Sequence, residues 1–181
     1  MTSLAGAPVL EVGRLVLRAP EARDREPCAS LAATERARFI GGRWHRAGAW
    51  RMFCQVIGTW VARGGGSFVP TRRCEGRTIG LVAPRHPIDW PEPEIGWTIW
   101  DPAAEEAGHA REAARAARGH AREILGWETA VSHIDPENVR SVRLAERLGA
   151  VRGDAAAHPF GDDPCLVYRH PAPAAPSKEV P

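Results

Sequence analysis

A glycine-bearing loop near the middle of the chain has the residue types and spacing of an anion-binding site. The loop runs from Asp101 to Ala110, after the strand-like stretch EIGWTIW at 94–100 and before an alanine-rich helical segment. A strand that leads into such a loop and then a helix presents unpaired backbone N–H groups at the positive end of the helix dipole. The pattern therefore predicts a site for a phosphate-bearing cofactor around Gly108.

The helix after this loop is predicted to have one face of small residues and one basic face. Alanines at i, i+3, i+4 and i+7 spacing indicate a buried face that lies close to a sheet. They are Ala110, Ala113, Ala114, Ala117 and Ala121, followed by Leu125. The basic face consists of Arg111, Arg115, Arg118 and Arg122. One or two of these arginines could meet cofactor phosphates, and a solvated basic face is the alternative for most of them.

Length and composition limit the class of protein. The 181 residues fit one domain large enough to bury a core. The net charge of +2 gives no electrostatic reason to expect nucleic acid or a membrane surface as a partner. No run approaches the ~20 apolar residues of a membrane span, and the N-terminus lacks the features of a secretion signal.

The cysteines predict neither a metal site nor a redox pair. Cys28, Cys54, Cys74 and Cys165 are widely spaced, without a Cys-x-x-Cys motif or an adjoining histidine cluster. Free thiols in a reducing compartment are the simpler interpretation. The sequence therefore predicts a cytoplasmic protein without bound metal.

Alternating strand and helix patterns predict an α/β architecture with a central mixed sheet. Strands are predicted at 14–18, 67–71, 78–82, 94–100 and 127–133, with a hairpin turn at Glu75–Gly76. Helical segments follow Pro20, span about 47–63 and close the stretch 135–150. The helix at 47–63 has one apolar stripe, formed by Trp50, Phe53, Cys54, Ile57, Trp60 and Val61.

The positions of loops and of proline-rich segments predict one domain over 1–170. Four prolines make 84–93 an irregular loop between the N-terminal half and the half with the glycine loop. The tail at 171–181 is rich in proline and alanine, and is predicted to be disordered.

The central stretch resembles the GNAT family of acyl-CoA N-acyltransferases, in particular the ribosomal-protein N-terminal acetyltransferase type. EIGWTIW is similar to the family's central strand, Glu105 to Ala110 to its pyrophosphate loop, and DPENVRS with LAERLGA to its cofactor-side helix. GRLVLRAPEARD resembles its opening strand and helix, so the match covers about residues 12 to 170. The resemblance implies the GNAT fold, a central mixed, splayed β-sheet flanked by helices that admits acetyl-CoA between its fourth and fifth strands.

The resemblance implies a cofactor site at the loop and the helix start. Gly108 and Ala110 match the small residues of the family's loop pattern, and the implied site also takes in His109 and Arg111. Glu105 departs from the pattern, because the family has Arg or Gln there. A carboxylate at that position is expected to repel phosphate, so Glu105→Gln is expected to tighten CoA binding.

Two residues of the second motif are implied to contact the cofactor. Asn138 matches the family's cofactor-contacting Asn, and the alternative is a helix cap. Ser141 resembles a serine that this branch uses near the thiolate, and the alternative is a solvent-facing helix residue. Gly149 is expected to end the helix in the left-handed conformation.

Acetyl transfer to an amine needs a base for the ammonium proton and an acid for the leaving thiolate. Glu94 is the candidate base, on the side of the strand that also holds Gly96 and Thr98, because the family often has a Glu there that acts directly or through water. The alternative is an ordinary carboxylate at a strand edge.

The acid is less clear. Many family members have a Tyr just before the closing Leu-Gly, where this chain has Ala145. Ser141 is therefore the candidate that resembles the family. Tyr168 is interpreted as core packing, and His133, which could reach the cleft, as a structural residue.

The implied function is an acetyl-CoA-dependent N-acetyltransferase that acts by direct transfer on a primary amine, either a protein N-terminus or a small amine. The alternative is a GNAT-fold module with weak or no catalysis that binds acyl-CoA or another protein. Trp44, between Arg43 and His45, is a candidate for lining the acceptor pocket. The acceptor and the oligomeric state stay open, with a homodimer as one option.

Overall fold

The computed structural model describes residues 4–153 and 156–172. Most of the tail predicted to be disordered, from residue 173 onward, lies outside the described residues. The strands are β1 (Leu10–Val12), β2 (Leu15–Arg18), β3 (Val69–Arg72), β4 (Gly80–Arg85), β5 (Glu94–Ile99), β6 (Val131–Ile134), β7 (Val151–Arg152) and β8 (Leu166–Arg169). The helices are α1 (Arg25–Ala32), α2 (Arg46–Arg63), α3 (His109–Glu123) and α4 (Val139–Arg147), with 3-10 turns at Ala22–Asp24, Glu35–Ile40 and Pro102–Ala104.

The strands form two sheets that meet edge to edge. β1, β2 and β3 are antiparallel, and the second sheet has the order β4-β5-β6-β8-β7. Isolated bridges, Phe68 with Val82 and Thr71 with Thr78, join β3 to β4. The pair β5 and β6 is parallel, and its ladder consists of one register pair, Glu94 with Val131. The mixed, splayed sheet flanked by helices confirms the predicted fold class.

The helices cover the two faces of the sheet. The alanine face of α3 packs against Val82 and Ile95, as predicted. Helices α1 and α2 pack against Val69 and Trp100. Because neighbouring strand residues point to opposite faces, α3 lies on the face of Ile95 and the first two helices lie on the face of Glu94. Among the described residues, no helix is both long and apolar enough to cross a membrane.

Two local predictions were wrong. The irregular loop predicted from Pro84 begins later, because Pro84 and Arg85 belong to β4 and pair with Ile95 and Glu94. β4 is an outer strand of the five-stranded sheet, and a proline is tolerated in such a strand. Trp50 and Val61, predicted to pack in the stripe of α2, are 51% and 74% exposed, since neighbouring elements cover only part of that stripe.

Candidate active site

The sheet opens beyond the single pair that joins β5 to β6. The N–H of Val131 donates to the carbonyl of Pro93 at 2.9 Å. One residue further on, the hydroxyl of Ser132 donates to the carbonyl of Ile95 at 2.6 Å, in place of a ladder bond. Beyond this contact the strands part, and by strand alternation the peptide groups of Trp97 point the same way as those of Ile95. This gap, here called the wedge, offers an open strand edge to a chain that carries amides.

Helix α3 begins beside the wedge with an uncapped N-terminus. Gly108 has a φ of 82° at the N-cap position, and within the described chain no side chain caps the helix. By contrast, Asn138 caps α4 by accepting from the N–H of Ser141, and His45 caps α2. The amides at the start of α3 are therefore free to bind an anion. The side chain of His109 is buried against Ala104, so of this predicted site residue only the backbone is available to a ligand.

A cavity of about 530 Å³ adjoins the first turn of α3, on the side of the β1–β2 hairpin. Arg111 and Arg115 line it, both are exposed, and neither forms an ion pair with another described residue. Arg14, at its rim, donates to Glu112 at 2.9 Å and to the carbonyl of Ala107 at 3.1 Å, which ties the loop to the hairpin. Arg111 lies beside the start of α3, and its contact with phosphate stays a prediction.

The carboxylate of Glu105 does not stand free in the loop. One oxygen accepts from Arg36 and the other from Arg140 of α4. Arg36 also donates to the carbonyl of Ile99 at 2.7 Å, at the end of β5. Two guanidinium groups therefore offset the charge of Glu105, and the expected repulsion of phosphate is weaker than the sequence alone suggested.

We expect Glu105→Gln to tighten CoA binding about threefold to tenfold at low salt, because it frees charge on Arg36 and Arg140, and to change it less at high salt. Calorimetric titration with CoA at two salt concentrations measures this. Glu106→Gln is the matched control, since Glu106 is exposed in the same loop and has no ion pair among the residues described. Equal tightening in both variants would show a general charge effect and not a release of the two arginines.

Ser141 and Trp97 face each other across the wedge. The indole N–H of Trp97 donates to the hydroxyl oxygen of Ser141 at 3.2 Å. A hydroxyl that accepts one hydrogen bond keeps its own proton to donate. The hydroxyl of Ser141 is thus half-buried against Trp97 and not simply solvent-facing, and its role as a proton donor stays a prediction. Asn138 has the capping role of its alternative interpretation, because its side-chain Oδ1 accepts from the backbone N–H of Ser141 at 3.2 Å. Its contact with the cofactor stays a prediction.

Glu94 lies at the closed end of the wedge, on the face opposite α3. It is 3% exposed, accepts from Arg85 at 2.5 Å, and accepts from the backbone N–H of His133 at 3.3 Å. Burial by itself would raise the pKa of Glu94, but Arg85 and His133 outweigh it and hold this pKa below its ordinary value. The carboxylate is therefore ionised and fixed in place. Its role as the base stays a prediction.

His133 lies beside Glu94 inside a group of aromatic rings. The side chain is 1% exposed, and its Nδ1 is 3.6 Å from the Glu94 carboxylate. The rings of Trp90 and Phe160 meet the imidazole edge to face, with centroids at 5.0 and 5.7 Å. These three residues, here called the aromatic cluster, join the segment before β5 to the segment before β8. The strand position of His133 could be read from the sequence, but its aromatic partners could not.

A second buried histidine, His170, lies beside the wedge, next to Ser132. The Nε2 of His170 is 2.9 Å from the hydroxyl of Ser132, and Nδ1 is 3.3 Å from Arg118. Because Ser132 gives its proton to Ile95, the Nε2 of His170 must carry a hydrogen and Nδ1 must accept from Arg118. Burial and the nearby arginines lower the pKa of His170 to about 4. Arg118 therefore serves this network and is not part of a free basic face.

The remaining candidates lie in the core or in turns. Tyr168 is 5% exposed on β8, which confirms that it packs in the core. Ala145 is fully buried on α4, and Gly149 follows that helix with a φ of 78°, as predicted. The indole of Trp44 donates to the carbonyl of Gly41 at 3.0 Å, so it closes a turn, and its place in an acceptor pocket stays a prediction.

Comparison with known proteins identifies this arrangement. The family model of the acetyltransferase (GNAT) domain matches residues 14–151. An acetyltransferase from Agrobacterium tumefaciens is 31% identical, with a TM-score of 0.83, and the match covers 94% of this chain and 98% of that one. The chain belongs to the GNAT family and is an N-acetyltransferase, so the resemblance seen in the sequence is confirmed.

More distant structures share the fold. Ribosomal-protein-S5-alanine acetyltransferase from Vibrio fischeri is 15% identical with a TM-score of 0.67, over 90% of this chain and 95% of that one. Spermidine N-acetyltransferase from Vibrio cholerae, solved with CoA and spermine, is 20% identical with a TM-score of 0.66, over 86% of this chain and 93% of that one. At these identities the likeness concerns the fold alone.

Proposed function

We propose that this enzyme moves the acetyl group of acetyl-CoA directly to a primary amine, on a small molecule or a peptide N-terminus. The observation that carries the proposal is the wedge: a proton donor, Ser141, lies on one side, an ionised carboxylate, Glu94, lies at its closed end, and free helix amides lie at its mouth. Structural neighbours named for a ribosomal protein and for spermidine share this fold, so both kinds of acceptor remain candidates. The free cysteines agree with a cytoplasmic location, which stays a prediction.

The residues of the wedge fit acetyl-CoA. The open edge at Trp97 can pair with the amides of the pantetheine arm, as a strand pairs with a sheet edge. The uncapped amides from Gly108 to Ala110 suit the pyrophosphate, and Arg111 lies next to them. Asn138 and Ser141 would meet the arm from α4. When bound, acetyl-CoA supplies a thioester whose carbonyl carbon is open to attack by an amine.

The protein's own groups then handle the protons. An acceptor ammonium must lose a proton before its nitrogen can attack, and Glu94 is the proposed carboxylate toward which that proton moves. The departing thiolate needs a proton, and the hydroxyl of Ser141, held by Trp97, is the proposed donor. Glu94 is buried, so water has little access to the proposed proton acceptor.

We expect Gly108→Glu to weaken CoA binding at least about tenfold. A side chain at a φ of 82° is strained, and a carboxylate there opposes the pyrophosphate. Calorimetry with CoA, beside thiol release from acetyl-CoA over a panel of amines, measures binding and turnover. Gly119→Glu on the same helix is the control, because a side chain there meets nothing within 4 Å. Unchanged CoA affinity in the Gly108 variant would contradict the assigned site.

A further inference from the structure

The imidazole of His133 is the most unusual polar group in the described structure. Both ring nitrogens are buried and have no hydrogen-bond partner within 4–153 and 156–172. An unsatisfied buried polar group costs about 1 to 3 kcal/mol, so its presence needs an explanation. The ring lies at the closed end of the wedge, next to the carboxylate already proposed to attract the acceptor's proton.

We propose that His133 is the group that takes the proton from the acceptor amine, and that Glu94 positions and stabilises it. This inference rests on the proposed function and assigns a catalytic residue to it. Arg85 and the backbone N–H of His133 each donate to one oxygen of Glu94, and the imidazole lies beside this carboxylate, so a proton drawn toward Glu94 can be taken up by the ring. Its Oε1 is 3.6 Å from Nδ1, which favours the tautomer with hydrogen on Nδ1 and leaves the lone pair on Nε2.

The aromatic cluster is suited to a cationic amine. The guanidinium of Arg85 already lies over the ring of Trp90, 4.9 Å from its centroid, while it pairs with Glu94. Aromatic faces beside a carboxylate attract an ammonium group by the same interactions. Phe160 is 42% exposed, and its ring is the outer wall of the cluster. Displacement of this ring is the proposed route by which an acceptor reaches the imidazole.

The protons and bonds of the step balance. The acceptor ammonium gives one proton to Nε2, and the resulting imidazolium is stabilised by the charge of Glu94. The amine nitrogen then forms its bond to the acetyl carbon as the carbon–sulfur bond breaks. The hydroxyl of Ser141 gives its proton to the thiolate and takes up the nitrogen's second proton in return. His133 then releases its proton to solvent.

The pH dependence follows from the charges around the ring. Glu94 faces it from β5, Arg85 reaches the same carboxylate from β4, and Glu92 precedes β5. From the segment before β8, His158 stacks on Phe160 and Cys165 lies near Glu94. Any pH dependence of turnover that involves this ring therefore reflects these groups together with it.

The pH profiles of kcat in the parent enzyme and in His133→Gln are the first test. The acidic limb of the parent is expected to be lost in the variant, and the same limb in both proteins would overturn the proposal. His133→Gln should lower kcat at neutral pH by about 100-fold or more with CoA affinity unchanged, and His133→Ala should regain activity with added imidazole. His45→Gln, exposed at the start of α2 and outside the aromatic cluster, is the control and should turn over like the parent.

A readout independent of turnover separates this inference from the proposed function. If no amine is acetylated, the proposed function fails, and NMR signals of the His133 ring still report on the site. Spermidine or an alanine-terminated peptide, added to the CoA-bound protein, should shift these signals in the parent. Ring signals that respond to neither amine would overturn the assignment of His133.

Discussion

Replacing Glu94 with Gln is expected to lower turnover about 100-fold to 10,000-fold while CoA binding persists, the range that a positioned acid–base group contributes. Gln keeps the size of the side chain and can still accept from the N–H of His133. It removes the negative charge that the proton would otherwise approach. The acidic limb of the pH profile should also move to lower pH, because a neutral partner no longer stabilises an imidazolium.

Steady-state kinetics over the pH range, with calorimetry for CoA, measures both effects. Glu11→Gln is the control, since Glu11 is also ion-paired, with Arg73, but lies on β1 and away from the wedge and the aromatic cluster. Removal of its charge should leave the pH profile in place. Parent-like turnover in the Glu94 variant across the whole range would make Glu94 a structural carboxylate, and its effect on the fold would then be read from urea unfolding.

The second large effect is the acid sensitivity of the fold through His170. Its pKa is about 4 in the folded protein against an ordinary value of 6.5, so folding favours the neutral ring. This stabilisation is fully present above pH 6.5 and is lost as the pH falls toward 4. The loss amounts to about 3 kcal/mol, and the parent should be that much more acid-sensitive than His170→Gln.

Urea unfolding of parent and variant from about pH 7 to about pH 4 measures how steeply the free energy of unfolding falls with pH in each protein. Burial also lowers the pKa of His120, so the parent's own curve combines both histidines and only the difference between proteins isolates His170. The exposed His86 provides the control, because His86→Gln should keep the parent's slope. Parallel curves for parent and His170 variant would mean that the ring is protonated without cost in the folded state.

Features fixed by short stretches of chain could be predicted from the sequence. Gly149 after α4 and the turn at Glu75–Gly76 depend on backbone conformations that neighbouring residues determine. The start of α3 at Gly108 likewise depends on the backbone conformation of neighbouring residues. The resemblance to the family then supplied the order of the strands and the place of the splay, which no local pattern contains.

Contacts between residues far apart in the chain could not be predicted. Arg36 and Arg140 reach Glu105 from opposite sides of the loop, so a residue that looked like a source of repulsion is part of an ion-pair network. His133 resembled an ordinary strand histidine because Trp90 and Phe160 come from distant segments. Helical periodicity likewise predicted that Trp50 packs in a stripe but could not show that about half of its surface stays exposed.

The single rung between β5 and β6 has a consequence for how the molecule holds together. The sheet consists of two blocks, one built by the chain up to β5 and one by the chain from β6 onward, with the Glu94–Val131 pair as their ladder contact. A donor molecule that pairs with the open edge at Trp97 would act as an added strand between these blocks. The bound cosubstrate would then add contacts between the two blocks during each catalytic cycle. Release of CoA would leave the Glu94–Val131 pair as the ladder contact between them.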